Sequence, residues 1–592
     1  MADLHFTEDR ATAPEVATID AALAALGVEP TLIVEDERLV RGGTHRRNER
    51  RHALLPALHA LQKESGWISK GGLNHVCEML QVPPAEAYGV ASFYELFQVD
   101  EAPGHNDDVV HVCVDSPCLE FAEAKITGLE ADGAHVHRSP CLGQCDRANA
   151  ANGPALFIQG RGKADSVPAD APSVEGELWE LPQKHDPSLV LLSRVGRVDP
   201  TSLESYIGAG GYKALAAAFR HGAAQVVEEV TTAALMGRGG AAFPTGIKWR
   251  GVASAEGEQK HIVANADESE PGTFKDRTVM ENDPFALIEA MTIAGFAVGA
   301  TKGWIYIRGE YPLATQRLEN AIDQAREAGF LGSAIAGAKS ISFDIEVRRG
   351  AGAYICGEET ALFNSLEGFR GEPRQKPPFP TTHGLFSEPT AINNPETLLN
   401  VLPIVLDGGA AYAAKGTEGS NGHKLFCLSG HVAQPGTYEV EFGPTLREMI
   451  DLAGGVTGGE LEAVLLGGAA GSFVGPEALD TPLTTEATRA IGASLGSGVI
   501  MAFNQHTDFN AVCIRIAEFF RNESCGQCVP CRVGAVRQHE VLLRTSQAGA
   551  SVNGELQLLN DIDLAMKDAS ICGLGHTAST AVLSAISLGL IS

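Results

Sequence analysis

Apolar side chains in the first third of the chain follow a helical pattern and then a strand pattern. Between residues 52 and 98 they recur at three- and four-residue spacings, most clearly at Leu54, Leu55, Leu58 and Leu61. The run Val109–Cys113 predicts a buried strand, and Pro154–Ile158 predicts a second one. Residues 1–48 have weak periodicity, and we expect them to form an extension that packs on a partner or stays mobile.

Strand and helix patterns alternate through the middle of the chain. Apolar strands are predicted at His261–Ala264, Trp304–Arg308 and Ile341–Val347, with alanine-rich helices over Phe285–Val298 and Leu313–Ala328. This alternation predicts a sheet covered by helices on both faces. From residue 424 to about residue 503, short strands such as Gly436–Glu441, glycine turns and one helix at Leu446–Leu452 predict a compact α+β module. The pattern after residue 508 is helical to the end.

Composition narrows the classes of function. A chain of 592 residues is too long for one core, and its 44% of hydrophobic and 20% of charged residues are ordinary for globular domains. The formal net charge of −29 argues against nucleic-acid binding, which depends on Lys and Arg neutralising phosphates. The sequence predicts no membrane span and no signal peptide, because it has no long uncharged apolar run and no basic start.

Eight of the twelve cysteines form two quartets, one near each end of the chain. The first quartet is Cys113, Cys118, Cys141 and Cys145, and the second is Cys525, Cys528, Cys531 and Cys572. Four thiolates are the ligands of one [2Fe–2S] or [4Fe–4S] cluster, and Cys-x2-Cys-x2-Cys spacing suits a cubane. Zinc is the alternative occupant, more so at the first quartet, whose spacing also fits two zinc knuckles. The other cysteines are predicted to be packed core thiols, namely Cys77, Cys356, Cys427 and Cys513.

Two polar loops in the middle of the chain suit anion and ligand binding. The glycine loop from Gly237 to Trp249 brings backbone N–H groups together, and Lys248 adds a positive charge. A helix is predicted before this loop, so the ordinary Rossmann pattern, which needs a strand there, does not apply. The acidic loop follows a predicted strand, at the position where open α/β sheets bind ligands, with Asn265, Asp267, Glu268 and Glu270. An ordinary turn is the alternative for each loop.

Three further motifs follow before the second quartet. A flexible glycine run beginning at Gly350 precedes Glu358 and Glu359, which could also be the acidic first turn of a helix. A rigid proline turn at 374–380 presents Lys376 and Phe379. The segment 391–397 places two amides beside a hydroxyl, at Asn393, Asn394 and Thr397. Each motif is a weak signal by itself, whereas their order is specific.

In this order, the loops and the second quartet resemble the NADH-oxidising flavoprotein subunit of complex I. The first 185 residues resemble the neighbouring 24-kDa-type [2Fe–2S] subunit, including the run Tyr88-Gly-Val-Ala-Ser-Phe-Tyr94. A fusion of the two is similar to the diaphorase subunit of NAD-dependent, metal-containing formate dehydrogenases, and to that of bidirectional NAD-reducing nickel–iron hydrogenases. The run Asp568–Cys572 and the intact first quartet favour the formate enzyme.

The resemblance implies a multidomain α/β fold. Its expected parts are a 1–48 extension, a 49–105 helical subdomain, a 106–185 thioredoxin-like [2Fe–2S] domain, a 186–422 α/β FMN- and NAD-binding domain, a 423–505 β-grasp-like module, and a 506–592 C-terminal helical bundle with a [4Fe–4S] cluster.

The resemblance also implies the ligand contacts. FMN would lie against Gly237, Gly239, Gly240, Lys248, Asn265, Asp267, Glu268, Gly357, Glu358, Asn393, Asn394 and Thr397. NAD(H) would stack on Phe243 and Phe379, with Glu270, Glu359 and Lys376 reaching its polar groups and Tyr354 lining the cleft. Hydride would pass between nicotinamide and flavin without a catalytic side chain. Two positions depart from the family pattern: Ala242 replaces a glycine, and Gly251 stands where some relatives carry an aromatic residue for the adenine.

We therefore predict an NAD(H)-linked diaphorase subunit with one FMN, one [2Fe–2S] and one [4Fe–4S] cluster. The expected partner is a molybdenum or tungsten formate dehydrogenase catalytic subunit with further Fe–S clusters, in a hetero-oligomer. Cluster-type cysteines without an export signal indicate a reducing cytoplasm. The main alternative is the diaphorase subunit of a bidirectional nickel–iron hydrogenase. A standalone NADH dehydrogenase and a non-catalytic electron conduit are two further hypotheses.

Overall fold

The computed structural model describes residues 7–28, 50–100, 108–148, 152–167, 181–184, 186–548 and 552–591. Among these residues, no helix is long and apolar enough to cross a membrane. The expected fold class is confirmed, since a helical subdomain, a small sheet domain, a central α/β domain, a β-grasp-like module and C-terminal helices follow one another along the chain.

The chain begins with helices that pack on one another, at Ala13–Ala25, Leu54–Ser65, Lys70–Leu80 and Pro84–Ala91. The first of them begins at a capping box between Thr12 and Glu15. Glu15 also accepts hydrogen bonds from the hydroxyls of Ser65 (2.8 Å) and Ser69 (2.5 Å), which tie this helix to the subdomain. Part of the expected extension is therefore an ordered helix, while residues 1–6 and 29–48 of it lie outside the described residues.

A three-stranded sheet follows, built from β1 (Val109–Cys113), β2 (His135–Ser139) and β3 (Leu156–Gln159). The order is β2-β1-β3, with β1 parallel to β2 and antiparallel to β3. Helix Leu119–Ala131 packs on this sheet, so the cysteines at the end of β1 and after β2 lie at one edge.

The central domain contains a five-stranded sheet in the order β6-β7-β5-β4-β8. Its strands are β4 (His261–Ala266), β5 (Lys302–Ile307), β6 (Gly332–Ser333), β7 (Ser342–Arg349) and β8 (Thr390–Asn393). All are parallel except β6, and the chain moves from β4 to β5 and β7 on one side but places β8 on the other. In open α/β sheets, such a switch point opens a crevice at the carboxyl ends of the strands.

Helices cover the central sheet. They span Leu203–Gly208, Lys213–His221, Ala223–Thr232, Thr245–Ser254, Lys275–Asn282, Pro284–Val298, Pro312–Glu327, Glu359–Leu366, Pro380–His383, Pro395–Leu399, Val401–Asp407 and Gly409–Ala413. Helix Pro284–Val298 is buried almost all round, which fits its uniformly apolar sequence. Short 3-10 turns lie at Arg51–Ala53, Ile335–Gly337, Tyr354–Gly357, Leu385–Ser387, Pro476–Ala478 and Val552–Glu555.

After a small hairpin of β9 (Gly416–Thr417) and β10 (Ser420–Asn421), the β-grasp-like module forms a second five-stranded sheet. It contains β11 (His423–Gly430), β12 (Gly436–Glu441), β13 (Leu461–Leu466), β14 (Ser472–Val474) and β15 (Val499–Asn504), with helices Leu446–Leu452 and Thr485–Ala490. The remaining helices are Phe509–Glu523, Val529–Ala548, Leu556–Ala569, Gly573–Thr577 and Thr580–Ser587. One apolar core joins the helical subdomain, the 354–366 region and these last helices, so the helical subdomain and the C-terminal helices meet beside the central domain.

Candidate nucleotide and cluster sites

The four cysteines of the first quartet converge in a fully buried position. Each is at most 2% exposed, and the Sγ atoms of Cys141 and Cys145 are 3.7 Å apart. Backbone N–H groups point at the sulfurs, from Ala155 to Cys118 (3.3 Å) and from Gly143 to Cys141 (3.4 Å). Thiol hydrogen bonds from its neighbours hold the pKa of Cys141 well below its ordinary range. Hydrogen bonds of this kind to the cysteine sulfurs stabilise an iron–sulfur cluster and tune its reduction potential.

Two buried arginines hold the loop of the first quartet on the central domain. Arg277 donates from Nε to the carbonyl of Gly143 (2.9 Å) and from its terminal nitrogen to both carboxylate oxygens of Asp146 (2.7 and 2.6 Å). Arg308 donates to the carbonyl of Cys141 (2.6 Å) and, from its other terminal nitrogen, to that of Glu268 (2.8 Å). The first quartet therefore docks against the acidic loop.

The second quartet lies between the C-terminal helices. Cys525 and Cys528 lie in the loop before helix Val529–Ala548, Cys531 lies in its first turn, and Cys572 immediately precedes helix Gly573–Thr577. Burial raises the pKa of Cys531 to about 11 and that of Cys572 to about 12. Only Cys531 is buried, while the other three are partly exposed. This quartet is therefore the one close to the protein surface.

The glycine loop follows helix Ala223–Thr232, as expected, and is closed by a hydrogen bond from the N–H of Gly237 to the carbonyl of Phe243 (3.0 Å). A side chain at position 239 would meet Asn394 at 3.1 Å, and Gly240 has φ of 114°. Ala242, which replaces the expected glycine, has φ of 48°, a left-handed conformation that costs an alanine about 1–2 kcal/mol. The departure at 242 therefore strains the backbone as well as adding a methyl group.

The end of β4 supplies a polar pocket. Asn265 donates to the carbonyl of Gly357 (2.8 Å), and Asp267 lies next to the same glycine. Burial raises the pKa of Asp267 to about 8, and its Oδ2 has no hydrogen-bond partner. Buried carboxylate oxygens without partners are rare in proteins, so this atom fits a ligand hydroxyl.

The two glutamates of the acidic loop are already engaged. Glu268 accepts hydrogen bonds from the backbone N–H groups of Asp276 and Arg277, both at 2.9 Å, at the start of helix Lys275–Asn282. Glu270 accepts from the Tyr354 hydroxyl (2.6 Å) and from the N–H of Ala470 in the β-grasp-like module (2.9 Å). Burial raises the pKa of Glu270 to about 7. Glu268 thus acts as a helix cap here, while Glu270 joins the acidic loop to Tyr354 and to the β-grasp-like module.

Charged side chains line the rim of the crevice. Glu358 caps helix Glu359–Leu366, and Lys376 lies 2.9 Å from Glu358 and 2.7 Å from Glu359. Burial lowers the pKa of Lys248, whose Nζ donates to the carbonyl of Ile392 (2.8 Å). The aromatic rings predicted for nucleotide stacking are accessible, with exposures of 50% for Phe243 and 58% for Phe379.

The end of β8 completes the crevice. The Oδ1 of Asn393 accepts from the indole N–H of Trp249 (2.9 Å), and Asn394 caps helix Pro395–Leu399. The hydroxyl of Thr397 accepts from the backbone N–H of Arg238 in the glycine loop (2.8 Å). The five loops thus meet at the carboxyl ends of β4 and β8. The assignment of single residues to FMN or NAD(H) stays a prediction.

A buried charge cluster below this crevice was not singled out from the sequence. Glu396 lies 2.9 Å from Lys275 and 3.0 Å from Lys424, and all three side chains are at most 3% exposed. The sequence around each of these residues gives no local signal for such a cluster, because the partners come from distant segments. The other four cysteines are buried, and burial raises the pKa of Cys77, Cys356 and Cys513 to about 12 each.

Four parts of the chain match known protein families. The family described as "Thioredoxin-like [2Fe-2S] ferredoxin" matches residues 42–163, and "Nuo51 FMN-binding domain" matches residues 230–403. "SLBB domain" matches residues 424–494, and "NADH-ubiquinone oxidoreductase-F iron-sulfur binding region" matches residues 511–588. The predicted cofactors, FMN with one [2Fe–2S] and one [4Fe–4S] cluster in an NADH-binding diaphorase, are confirmed by these matches, which do not favour zinc.

Individual relatives extend over most of the chain. The HndC subunit of the NADP-reducing hydrogenase of Solidesulfovibrio fructosivorans is 43% identical over 391 residues, 66% of this chain and 79% of the relative. The F 2 subunit of the NADH-quinone oxidoreductase of Rhizobium meliloti is 43% identical over 400 residues, 67% of this chain and 94% of the relative. A chain of the NAD+-reducing [NiFe]-hydrogenase in the H2-reduced state superposes with a TM-score of 0.77 and 31% identity, covering 92% of this chain and 91% of its own.

Proposed function

Since this chain belongs to the family of NADH-quinone oxidoreductase F subunits, we propose that it is the diaphorase subunit of a cytoplasmic, NAD-dependent formate dehydrogenase. The family itself implies the more general function, that of an NAD(H) flavin iron–sulfur oxidoreductase subunit in a hetero-oligomeric redox complex. The formate link is supported by the run Asp568–Cys572 and by the complete first quartet.

Tyr354 is the observation that supports electron transfer between the nucleotide crevice and the second quartet. Its hydroxyl donates to Glu270 (2.6 Å), and its backbone N–H donates to Glu523 (2.9 Å), two residues before Cys525. A single residue therefore contacts both the acidic loop and the approach to the second quartet. Contact of this one residue with both places supports a short path between the nucleotide crevice and the second quartet.

Bound FMN supplies the chemistry that no side chain here can, since flavin takes up two electrons with a hydride and releases them one at a time. The chain's own residues orient the ligands. We propose that Asp267 and Asn265 hold flavin hydroxyl or ring groups at the end of β4, and that Gly239 and Gly240 let backbone N–H groups approach a phosphate. Lys376, Glu359 and the exposed ring of Phe379 would then hold NAD(H) at the rim.

The surface beside the second quartet is suited to a partner protein. Val529 is 71% exposed and Val533 is 49% exposed, one helical turn apart and next to Cys528 and Cys531. Exposed apolar side chains at this position favour protein contact over solvent. We propose that a molybdenum or tungsten catalytic subunit with further Fe–S clusters docks here.

The hydrogenase diaphorase is the second candidate, because a NAD+-reducing [NiFe]-hydrogenase chain superposes over 92% of this chain. Isolation of the native complex separates the two candidates by assay of NAD+ reduction with formate and with hydrogen, alongside metal analysis. We expect formate-dependent activity with molybdenum or tungsten. Hydrogen-dependent activity with nickel would instead assign the chain to a hydrogenase. Activity without any partner would favour a standalone NADH dehydrogenase.

A further inference from the structure

One short turn of the helical subdomain contacts both ends of a single segment in the nucleotide-binding part of the central domain. We call residues 93–96 the bracing turn, and residues 350–369 the nucleotide segment. The nucleotide segment contains Tyr354, Gly357, Glu358 and Glu359, all of which line the crevice described above. The bracing turn belongs to the part of the chain that precedes the first quartet, about 250 residues earlier in the sequence.

The bracing turn holds the beginning of the nucleotide segment by its backbone. The N–H of Leu96 donates to the carbonyl of Ala351 (3.0 Å), and the N–H of Glu95 donates to that of Gly352 (3.2 Å). A side chain on Gly352 would meet Leu96 Cγ at 3.0 Å, so the two backbones lie in close contact. His59 adds a third bond, from Nε2 to the carbonyl of Gly350 (3.0 Å).

The same turn holds the end of the nucleotide segment through Tyr94. This side chain is 2% exposed, and its hydroxyl lies 2.8 Å from Ser365 Oγ and 3.2 Å from the carbonyl oxygen of Phe369. Tyr306 of β5 also lies 2.8 Å from Ser365 Oγ, so the network reaches the central sheet. Arg51 donates to the carbonyl of Gly368 (3.1 Å) from the same subdomain.

We propose that the bracing turn positions the nucleotide segment, with Tyr94 as a positioning residue for FMN and NAD(H) binding. It holds the segment on both sides of the ligand-facing residues, so the path of the chain between the two contacts is fixed. Gly357, whose carbonyl accepts from Asn265 (2.8 Å), and Glu358, which caps its helix, lie in that interval. Loosening either contact lets these groups move relative to β4. This inference rests on the proposed site.

The test compares Tyr94→Phe with Tyr438→Phe in the full-length chain. Tyr438 is also fully buried and donates one hydrogen bond, to the carbonyl of Gln434 (2.7 Å), but it lies in β12 away from the nucleotide segment. FMN is removed and titrated back while flavin fluorescence is followed. One buried hydrogen bond corresponds to about a fivefold change in an equilibrium constant, so we expect the FMN dissociation constant of Tyr94→Phe to rise about fivefold. That of Tyr438→Phe should not change.

A second readout separates positioning from loss of stability. At saturating FMN, Tyr94→Phe should raise the KM for NADH while kcat with ferricyanide is retained. Ser365→Ala removes one of the two hydrogen-bond partners of Tyr94, so it should raise the FMN dissociation constant too. Because the two variants lose the same hydrogen bond, the effect of the double variant should be smaller than the sum of the two single effects. If Tyr94→Phe does not fold, the FMN dissociation constant of Ser365→Ala by itself tests the inference.

Three results would overturn the inference. The first is that Tyr94→Phe and Ser365→Ala both bind FMN as tightly as the wild-type chain. The second is that Tyr438→Phe weakens FMN binding as much as Tyr94→Phe does. The third is that the effects of the two single variants on FMN binding add in the double variant. Failure of the wild-type chain to bind FMN would instead refute the proposed site, so the two failures are distinguishable.

Discussion

Glu396→Gln tests how much the buried charge cluster contributes to stability. Glu396 is 0% exposed and lies 2.9 Å from Lys275 and 3.0 Å from Lys424. It also accepts the backbone N–H of Leu425 at 2.8 Å. Because Lys424 and Leu425 belong to β11, this carboxylate joins the central domain to the β-grasp-like module. Glutamine keeps the size of the side chain and removes only its charge.

The expected loss follows from the partners that remain. Lys275 keeps Asp276 at 2.8 Å, whereas Lys424 keeps only the carbonyl oxygens of Leu425 and Ser497, both at 3.1 Å. Breaking a buried ion pair by removing one partner costs about 3–5 kcal/mol. We therefore expect Glu396→Gln to lower the free energy of unfolding by about that amount at neutral pH.

The pH dependence gives a second, sharper expectation. Burial lowers the pKa of Lys424 to about 8, even though Glu396 raises it. A folded-state pKa below the unfolded value makes stability increase with pH between the two values, because the unfolded chain binds the proton more tightly. Without Glu396 the pKa of Lys424 in the folded chain falls further, so the increase of stability with pH begins at a lower pH. Because Lys424 loses its charge in alkaline solution, the cost of the substitution should shrink there.

The assay is urea unfolding followed by tryptophan fluorescence, at neutral pH and at about two pH units higher. Trp249 and Trp304 both lie in the central domain and report on it. Asp480→Asn, at the exposed pair with Arg447, is the control and should leave the midpoint unchanged. A loss below about 1 kcal/mol at neutral pH, or a loss that is the same at both pH values, would refute this account of the cluster.

Three further expectations concern the clusters and the nucleotide rim. Arg277→Leu removes the hydrogen bonds to Gly143 and Asp146, so it should reduce the amount of [2Fe–2S] cluster while the [4Fe–4S] cluster persists. Electron paramagnetic resonance measures both clusters, and loss of both signals together would contradict a local effect. Cys572→Ser should give the opposite pattern, with the [4Fe–4S] signal lost and the [2Fe–2S] signal retained. Phe379→Ala should leave the unfolding temperature unchanged, because the ring is 58% exposed, and should raise the KM for NADH; an unchanged KM would argue against stacking at this ring.

Local patterns predict much of the fold. The bounds of β1 (Val109–Cys113), β12 (Gly436–Glu441) and helix Leu446–Leu452 follow from the sequence, since apolar periodicity and turn residues are local signals. Helix Ala13–Ala25 does not follow from it. Only Glu15, Ile19 and Leu23 are buried there, and one of these is a charged cap, so the apolar stripe is too narrow to be recognised.

The crevice was predictable for a topological reason. Polar residues after β4 and β8 meet because the carboxyl ends of neighbouring parallel strands lie at the same edge. The sequence does not predict that Glu268 caps a helix. An acidic side chain at this position is equally compatible with a ligand contact and with hydrogen bonds from the backbone N–H groups of residues 276 and 277. Nor does the sequence predict the docking of the first quartet on Arg277 and Arg308, because nothing near Cys141 in the sequence indicates which distant side chains will cover it.

The covered position of the first quartet imposes an order on biogenesis. All four of its thiols are at most 2% exposed, and two of them, Cys141 and Cys145, share an apolar cluster with Phe274 of the central domain and Cys427 of the β-grasp-like module. A carrier protein can therefore reach these thiols only while the later segments are displaced from them. We expect cluster insertion to take place in a state in which the loop of the first quartet is apart from the central domain and the β-grasp-like module.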